Sequence, residues 1–253
     1  MRILFFTIIG LFWSLTSSGQ VTNKFFFDFN YSMNTYMMGD VNTFYIDSFA
    51  GIPENDFYRE KLKRGNNFNI GINYSPIRYL SIGVFGGYQY ASLKSYKWHE
   101  YLDSELGKTI YTKRQFELKP EAWALGIAGT FYFSELIFSK KVVQRTHFGI
   151  ESKGSINSTK ITSSNVLFTF YTSDNSKIYY HKYNLGVCLG ILTEYDITQS
   201  PIITTIGLRM GYQWLKTGVM KDAANQEWLV NDKYPINLDF SGLYYGVYLK
   251  IGK

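Results

Sequence analysis

The feature of this 253-residue chain that most constrains its fold is a strict two-residue alternation that recurs in eight stretches. One set of alternate positions is apolar or aromatic, and the other is rich in glycine and polar residues. A period of two over about nine residues predicts a β-strand rather than a helix. The stretches are 24–34, 67–75, 79–91, 122–133, 142–153, 183–191, 201–214 and 241–253, and the alternation is weaker in the fifth.

The connections between these stretches alternate in length. Long segments follow the odd-numbered stretches, at about 34–66, 94–119, 155–181 and 216–236. Short ones follow the even-numbered stretches, at 75–78, 134–140 and 196–200. This pattern is typical of an up-and-down antiparallel barrel in a bacterial outer membrane, with short periplasmic turns and long outside loops. We therefore predict an all-β, eight-stranded transmembrane barrel with four long outside loops and three short turns.

Two segments of the long loops are ambiguous. Residues 165–172 could form a ninth strand, but single-chain bacterial barrels have an even number of strands. We therefore interpret this segment as part of a hairpin that extends beyond the membrane, and 107–119 in the same way. Pro120 cannot donate a ladder hydrogen bond, and it predicts a bulge or break there.

A membrane barrel and a soluble barrel differ in which face of the strands points outward. The apolar set carries almost no charge, as expected for side chains that contact lipid, where Lys or Arg costs about 2–4 kcal/mol at mid-bilayer. The other set is rich in glycine, which makes room for large side chains inside a narrow barrel. A soluble barrel with the apolar set inside is the alternative. The glycines are Gly71, Gly83, Gly87, Gly126, Gly190, Gly207, Gly211 and Gly246.

The inward set also carries charges of both signs. We expect a polar network in the lumen, in which Arg209 pairs with Glu151 or Asp28 and blocks a wide pore. The predicted members are Asp28, Arg145, His147, Glu151, Lys153, Arg209 and Lys250.

Aromatic residues cluster near the strand ends, as in the girdles that mark both membrane interfaces. The predicted interface aromatics are Tyr74, Tyr79, Trp123, Phe131, Phe133, Tyr183 and Trp214.

The first residues predict export. Arg2 precedes an apolar run, 3–13, that is too short to span a bilayer as a helix and suits a signal peptide. We predict a signal peptide at 1–19 and a single barrel domain at 20–253, with both termini in the periplasm. Removing Arg2 lowers the net charge from +6 to +5. The single cysteine, Cys188, excludes an intramolecular disulfide.

The export signal, the eight alternating stretches and the ending "SGLYYGVYLKIGK" resemble small bacterial outer-membrane barrels. The nearest group is the OmpA/OmpX-like superfamily, which includes PorT-like members. The resemblance implies an integral outer-membrane barrel that works through its loops. PorT-like members further suggest an accessory role in protein secretion or envelope assembly, which stays an alternative.

We predict a non-enzymatic protein with a structural or binding role. The expected partners are outer-membrane lipid and lipopolysaccharide, and an extracellular or envelope protein bound through loop 34–66. No nucleic-acid partner, cofactor or metal is expected, because no motif for them is present. A lipid-modifying enzyme is the less favoured alternative, since it would need a positioned nucleophile and base, and His99, His147 and His181 show no such signature.

Overall fold

The structure is a computed structural model. It describes residues 24–45, 61–103, 107–137, 145–168, 172–197, 203–230 and 233–252. The predicted signal peptide and Val142 lie outside the described residues, as does much of loop 34–66.

Antiparallel strands dominate the described ranges, with a π-helical turn at Val41–Tyr45 and a four-residue helix at Ser134–Ile137. The strands are β1 Lys24–Thr35, β2 Arg64–Ile77, β3 Leu80–Ala91, β4 Leu93–Asp103, β5 Lys108–Phe131, β6 Thr146–Phe168, β7 Thr172–Asp196, β8 Ile203–Val219, β9 Leu229–Val230, β10 Tyr234–Pro235, β11 Asn237–Asp239 and β12 Gly242–Ile251.

Eight of these strands form a closed ring, in the order β1-β2-β3-β5-β6-β7-β8-β12. β12 closes the ring against β1, with pairs running from Phe27↔Ile251 to Asn34↔Tyr244. The predicted eight-stranded up-and-down barrel is therefore confirmed. The chain enters the ring near Lys24 and leaves it near Gly252, at the end that also holds the short turns. We call this the turn end and the opposite end the loop end.

Three strands continue far beyond the ring at the loop end. β5, β6 and β7 contain 24, 23 and 25 residues, whereas about 9–11 residues suffice to cross a membrane. β4 pairs with the outer part of β5, from Leu93↔Leu118 to Asp103↔Lys108. We call this projecting sheet the wing: β4, 108–120, 159–168 and 172–181.

The wing resolves both ambiguous segments. Residues 107–119 fall mainly in β5, and 165–168 end β6, so neither segment adds a strand to the ring. The break predicted at Pro120 is wrong for β5, which pairs with β6 without interruption through Pro120↔Ile161. The discontinuity lies in the neighbouring strands. On the other edge of β5, the partner strand changes from β3, at Tyr90↔Glu121, to β4, at Leu93↔Leu118. Pro120 lies between these two pairs, where β5 does not have to donate a backbone hydrogen bond.

The predicted lipid-facing set forms an exposed apolar belt around the ring. Leu125 is 71% exposed and Ile127 is 68% exposed, although both lie in the middle of a strand. Large apolar side chains are rarely left this exposed over a whole surface unless another apolar phase covers them. The belt includes Phe25, Phe27, Phe29, Phe68, Ile70, Ile72, Ile82, Val84, Leu125, Ile127, Ile150, Leu185, Val187, Leu189, Ile191, Ile206, Leu208, Met210, Leu243 and Val247.

An apolar core lies at the loop end, where the described parts of the first and last long loops fold over the mouth of the ring and pack against the base of the wing. We call this covering unit the dome. Its buried residues come from separate elements: Tyr36, Met38, Val41, Leu62, Ala91, Leu93, Phe116, Leu118, Ala122, Ile161, Leu215, Met220, Trp228, Val230, Ile236, Leu238 and Phe240.

Candidate functional site

The middle of the lumen holds a network of buried charges. The Arg209 guanidinium contacts a carboxylate oxygen of Asp28 at 2.8 Å and one of Glu151 at 3.2 Å. Lys153 contacts the other oxygen of Glu151 at 3.1 Å. Arg209 is only 3% exposed, so these carboxylates must offset the cost of removing its charge from water. The network ties β1, β6 and β8 together across the lumen.

A second group of charges lies nearer the turn end. The Lys250 ammonium donates to Glu194 Oε1 and to the hydroxyl of Tyr132. The hydroxyls of Tyr132 and Tyr248 donate to the same Glu194 oxygen, at 2.8 and 2.6 Å. The Arg209 guanidinium lies 4.1 Å from the centre of the Tyr248 ring, which joins the two groups.

Together the two groups balance in charge. Arg209, Lys153 and Lys250 face Asp28, Glu151 and Glu194, so three positive charges meet three negative ones. Balanced and hydrogen-bonded charges are tolerated in a narrow interior, whereas unpaired ones are not.

Of the predicted lumen residues, Arg145 and His147 lie apart from this network. Arg145 is exposed and directly precedes β6, which begins at Thr146. His147 lies at the turn end, where its Nδ1 is 2.7 Å from Glu135 and its Nε2 is 3.0 Å from Asp196. This cluster fastens the helix Ser134–Ile137 to the ends of β6 and β7.

The sequence reasoning missed Glu194, Tyr132 and Tyr248 as members of the network. The alternation in β7 could have identified Glu194. The even-numbered residues 184, 186, 188 and 190 face the lumen, and the same alternation continues to 192 and 194. The alternation predicted Tyr248 to face the lumen, but no pattern indicates which carboxylate it contacts.

Glycines in the lumen make room for the tyrosines, as the alternation predicted. A Cβ at Gly207 would collide with the ring of Tyr248, and one at Gly190 would meet the hydroxyl of Tyr244. Both tyrosines are buried. The glycines thus set the positions of rings that fill the lumen.

Above the charges the lumen is lined by small polar side chains and amides. A cavity of about 30 Å³ lies there, and another of about 20 Å³ lies beside Arg209 and Lys250; each has room for only one or two water molecules. The upper cavity is lined by Asn30, Ser32, Asn67, Asn69, Gln89, Ser155, Asn157, Gln213 and Tyr244, among others.

The dome rests directly on this upper lumen. Gln213 Nε2 donates to Gln89 Oε1 at 3.1 Å and to the carbonyl of Phe240 at 3.0 Å. The Phe240 ring meets Tyr36 edge-on, with centroids 5.4 Å apart. In the first long loop, Asn42 bonds to the backbone of both Met37 and Leu62. The described part of loop 34–66 therefore folds into the dome.

The predicted interface aromatics lie at both edges of the apolar belt. At the turn end, Tyr74, Tyr79 and Phe133 are partly buried, and each ring packs against another aromatic ring: Phe25–Tyr74, Tyr79–Phe131 and Phe133–Phe148. At the loop end, Trp123, Tyr183 and Trp214 are exposed. Tyr183 stands in a bulge of β7 with φ 64°, a rare conformation for an aromatic residue, and is 81% exposed.

Within the described ranges, no group of three or more His, Cys, Asp or Glu side chains is arranged to hold a metal ion. No helix in that part of the chain is long and apolar enough to cross a bilayer.

A closed ring of eight antiparallel strands, apolar outside and charged inside, defines a transmembrane β-barrel. The polarity of this ring is the reverse of that of a soluble barrel. The soluble alternative would leave the belt residues in water.

No family model matches the chain, and no curated protein matches it in sequence. Among solved structures it is similar to a major outer membrane protein from Thermus thermophilus, at 11% identity and a TM-score of 0.41, covering 89% of this chain and 99% of that one. It is similar to Neisserial surface protein A, at 14% identity and a TM-score of 0.38, covering 90% and 97%. A third is Ail of Yersinia pestis in complex with the heparin analogue sucrose octasulfate, at 9% identity and a TM-score of 0.34, covering 91% and 97%. At such low identities, the class of the protein follows from its own geometry.

Proposed function

We propose that this chain is a closed, non-enzymatic barrel of a Gram-negative outer membrane that serves as a rigid binding or structural platform at the cell surface. The turn end, with both termini, faces the periplasm. The dome and the wing face outward, where they meet lipopolysaccharide and surface partners.

The observation that carries this proposal is closure at two levels. The lumen is filled by a balanced network around Arg209 and by the rings of Tyr244 and Tyr248. Above it, the apolar core of the dome covers the mouth. A role in diffusion would need a continuous aqueous path, and an eight-stranded interior of this kind is filled by side chains.

The dome also favours a platform over flexible loops. A loop segment that buries Tyr36, Met38 and Leu62 in a common core with Trp228 and Phe240 holds its exposed residues in fixed relative positions. Rigid elements present binding residues more precisely than free loops do. Residues 46–60 lie outside the described part of loop 34–66, and a partner contact through that segment stays a prediction.

Single-channel recording in planar bilayers tests closure. We expect no large, stable conductance from the full barrel. The double variant Tyr36→Ala/Phe240→Ala disturbs the dome and removes the hydrogen bond from Tyr36 to Gln89. It should stay non-conducting because the charged network around Arg209 below is intact. A large stable conductance of the unaltered barrel would contradict the proposal, and altered acyl chains after incubation with lipid A would contradict its non-enzymatic part.

A further inference from the structure

The outward face of β5 continues without interruption from the apolar belt into the wing. β5 pairs with β6 in one unbroken register, so Tyr111, Lys113 and Lys119 share the face of Trp123 and Leu125. The opposite face is buried in the dome at Phe116 and Leu118. The outer side of the wing therefore stands directly above the lipid-facing surface.

Basic side chains surround the barrel just beyond its loop-end aromatic residues. Lys160 pairs in register with Glu121, two residues beyond Trp123, and Lys216 is two residues beyond Trp214. Lys182 stands beside Tyr183 in the bulge of β7. We call this set the basic collar: Arg64, Lys94, Lys119, Lys160, Lys182 and Lys216.

Three carboxylates lie beside the six cations of the collar, and one further pair in the same row, Lys221 and Glu227, adds no net charge. Glu117 is shared by Lys94 and Lys119, at 3.3 and 3.0 Å. Glu121 lies 2.9 Å from Lys160, and Asp239 pairs in register with Lys216. The collar thus keeps an excess of positive charge where the apolar belt ends.

Farther from the belt, the same face of the wing carries exposed aromatic rings. Tyr96, Trp98 and Tyr111 are all more than half exposed. The Lys113 ammonium lies 4.3 Å from the centre of the Tyr96 ring and 5.8 Å from that of Trp98. We call Tyr96, Trp98 and Tyr111 the aromatic strip. Lys119 and Tyr111 stand roughly 13 and 40 Å along β5 from Trp123, at ~3.3 Å per residue.

The order along this face is apolar belt, cations, then aromatic rings. We propose that the face binds the head group of a phosphorylated glycolipid of the outer leaflet, with phosphates at the basic collar and sugars against the aromatic strip. Such a lipid presents acyl chains, phosphates and sugars in that same order. The site is continuous with the lipid-facing belt, so a bound glycolipid keeps its chains in the membrane.

The chemistry of each layer suits its part of the ligand. Lys and Arg side chains near an anionic lipid surface are attracted to its phosphates. Aromatic rings offer flat, rigid and amphipathic contact area to a sugar at little entropic cost. The inference rests on the proposed outer-membrane placement but not on closure of the lumen, because all its contacts are on the outer surface.

Binding can be measured with the full barrel refolded in micelles, with folding of each sample checked by heat-modifiable gel mobility. The probes are bisphosphorylated lipid A, dephosphorylated lipid A, and lipopolysaccharide that carries its core sugars. The collar variant is Lys119→Gln/Lys160→Gln/Lys182→Gln/Lys216→Gln. A matched control, Lys108→Gln/Arg145→Gln/Lys177→Gln/Lys233→Gln, removes the same charge from solvent-exposed positions outside the collar.

We expect the unaltered barrel to bind bisphosphorylated lipid A at least about tenfold more tightly than the dephosphorylated form. The collar variant should lose this preference, and the control should keep it. Trp98→Ala/Tyr111→Ala should weaken binding of core-bearing lipopolysaccharide but not of lipid A. Equal affinity of the unaltered barrel for both lipid A forms would overturn the inference without any variant, even if the recordings show a closed lumen.

Discussion

The barrel and the dome bury opposite kinds of side chain. In the ring the apolar residues point outward and the charges lie inside, whereas in the dome the apolar residues are inside. β5 passes through both, and two of its leucines show the contrast: Leu118 is 0% exposed and Leu125 is 71% exposed. Along β5, the apolar residues thus lie on the outward face in the ring, and on the inward face in the dome.

The two regions therefore depend on different forces. The dome removes apolar surface from water, as a soluble core does. Inside the ring, stability requires that buried charges stay paired, since each unpaired one carries a large desolvation cost. Substitutions that damage one kind of interior should leave the other largely intact.

The largest expected effect is the loss of Arg209. Arg209→Met leaves Asp28 and Glu151 buried without their shared cation, which should cost about 3–5 kcal/mol of unfolding free energy. Urea unfolding in lipid vesicles measures it. Arg145→Met is the control, because Arg145 is exposed, and it should change stability by less than about 0.5 kcal/mol. If both variants cost the same, the lumen network does not stabilise the barrel.

The two leucines of β5 give the next effect. Leu118→Ala should cost about 2–5 kcal/mol, because it removes buried apolar area and leaves a cavity in the dome. Leu125→Ala should cost clearly less, since lipid chains fill the space and no cavity forms. The same unfolding measurement compares them, and equal losses would argue against an apolar core in the dome.

A smaller effect is expected from filling the lumen. Gly207→Ala places a methyl group against the Tyr248 ring and should cost about 1–3 kcal/mol through overpacking. Gly129→Ala is the matched change, because a Cβ there meets nothing within 4 Å. Thermal unfolding in micelles compares the two, and a Gly207→Ala variant as stable as the Gly129→Ala variant would show that the lumen is loosely packed.

The smallest effect concerns Glu117 on the wing. Burial alone would raise the pKa of its carboxyl, but hydrogen bonds from Lys119 and Lys94 outweigh this and lower the pKa below its ordinary value of 4.5. The stabilisation is therefore present above that ordinary pKa and is lost as the pH falls through the lower pKa of the folded state.

Because both lysines are half exposed, the contribution should stay below about 1 kcal/mol. Unfolding free energies of the unaltered barrel and of Glu117→Gln, measured from about pH 6 down to pH 3, should converge at the acidic end. A constant difference across that range would contradict the assignment to this carboxylate.

Much of the barrel could be predicted from the sequence, because the two-residue alternation shows which residues share a face of each strand. The belt, the inward glycines and the inward positions of Asp28, Glu151 and Arg209 follow from it. The wing was foreseen only as extended hairpins, and the dome was not foreseen. Its core joins Tyr36 to Phe240 and Leu118 to Trp228 across separate loops, which no local pattern links.

The sequence by itself determined the strands and their two faces, because alternation is a local property of an extended chain. Only the tertiary structure decided which inward residues meet, since that depends on ring closure and on the register of strands far apart in the chain. Asp28 and Arg209, 181 residues apart, are brought to 2.8 Å in this way. The same folding brings Lys250 to Glu194, and it joins the described parts of the first and last long loops into the cover of the barrel.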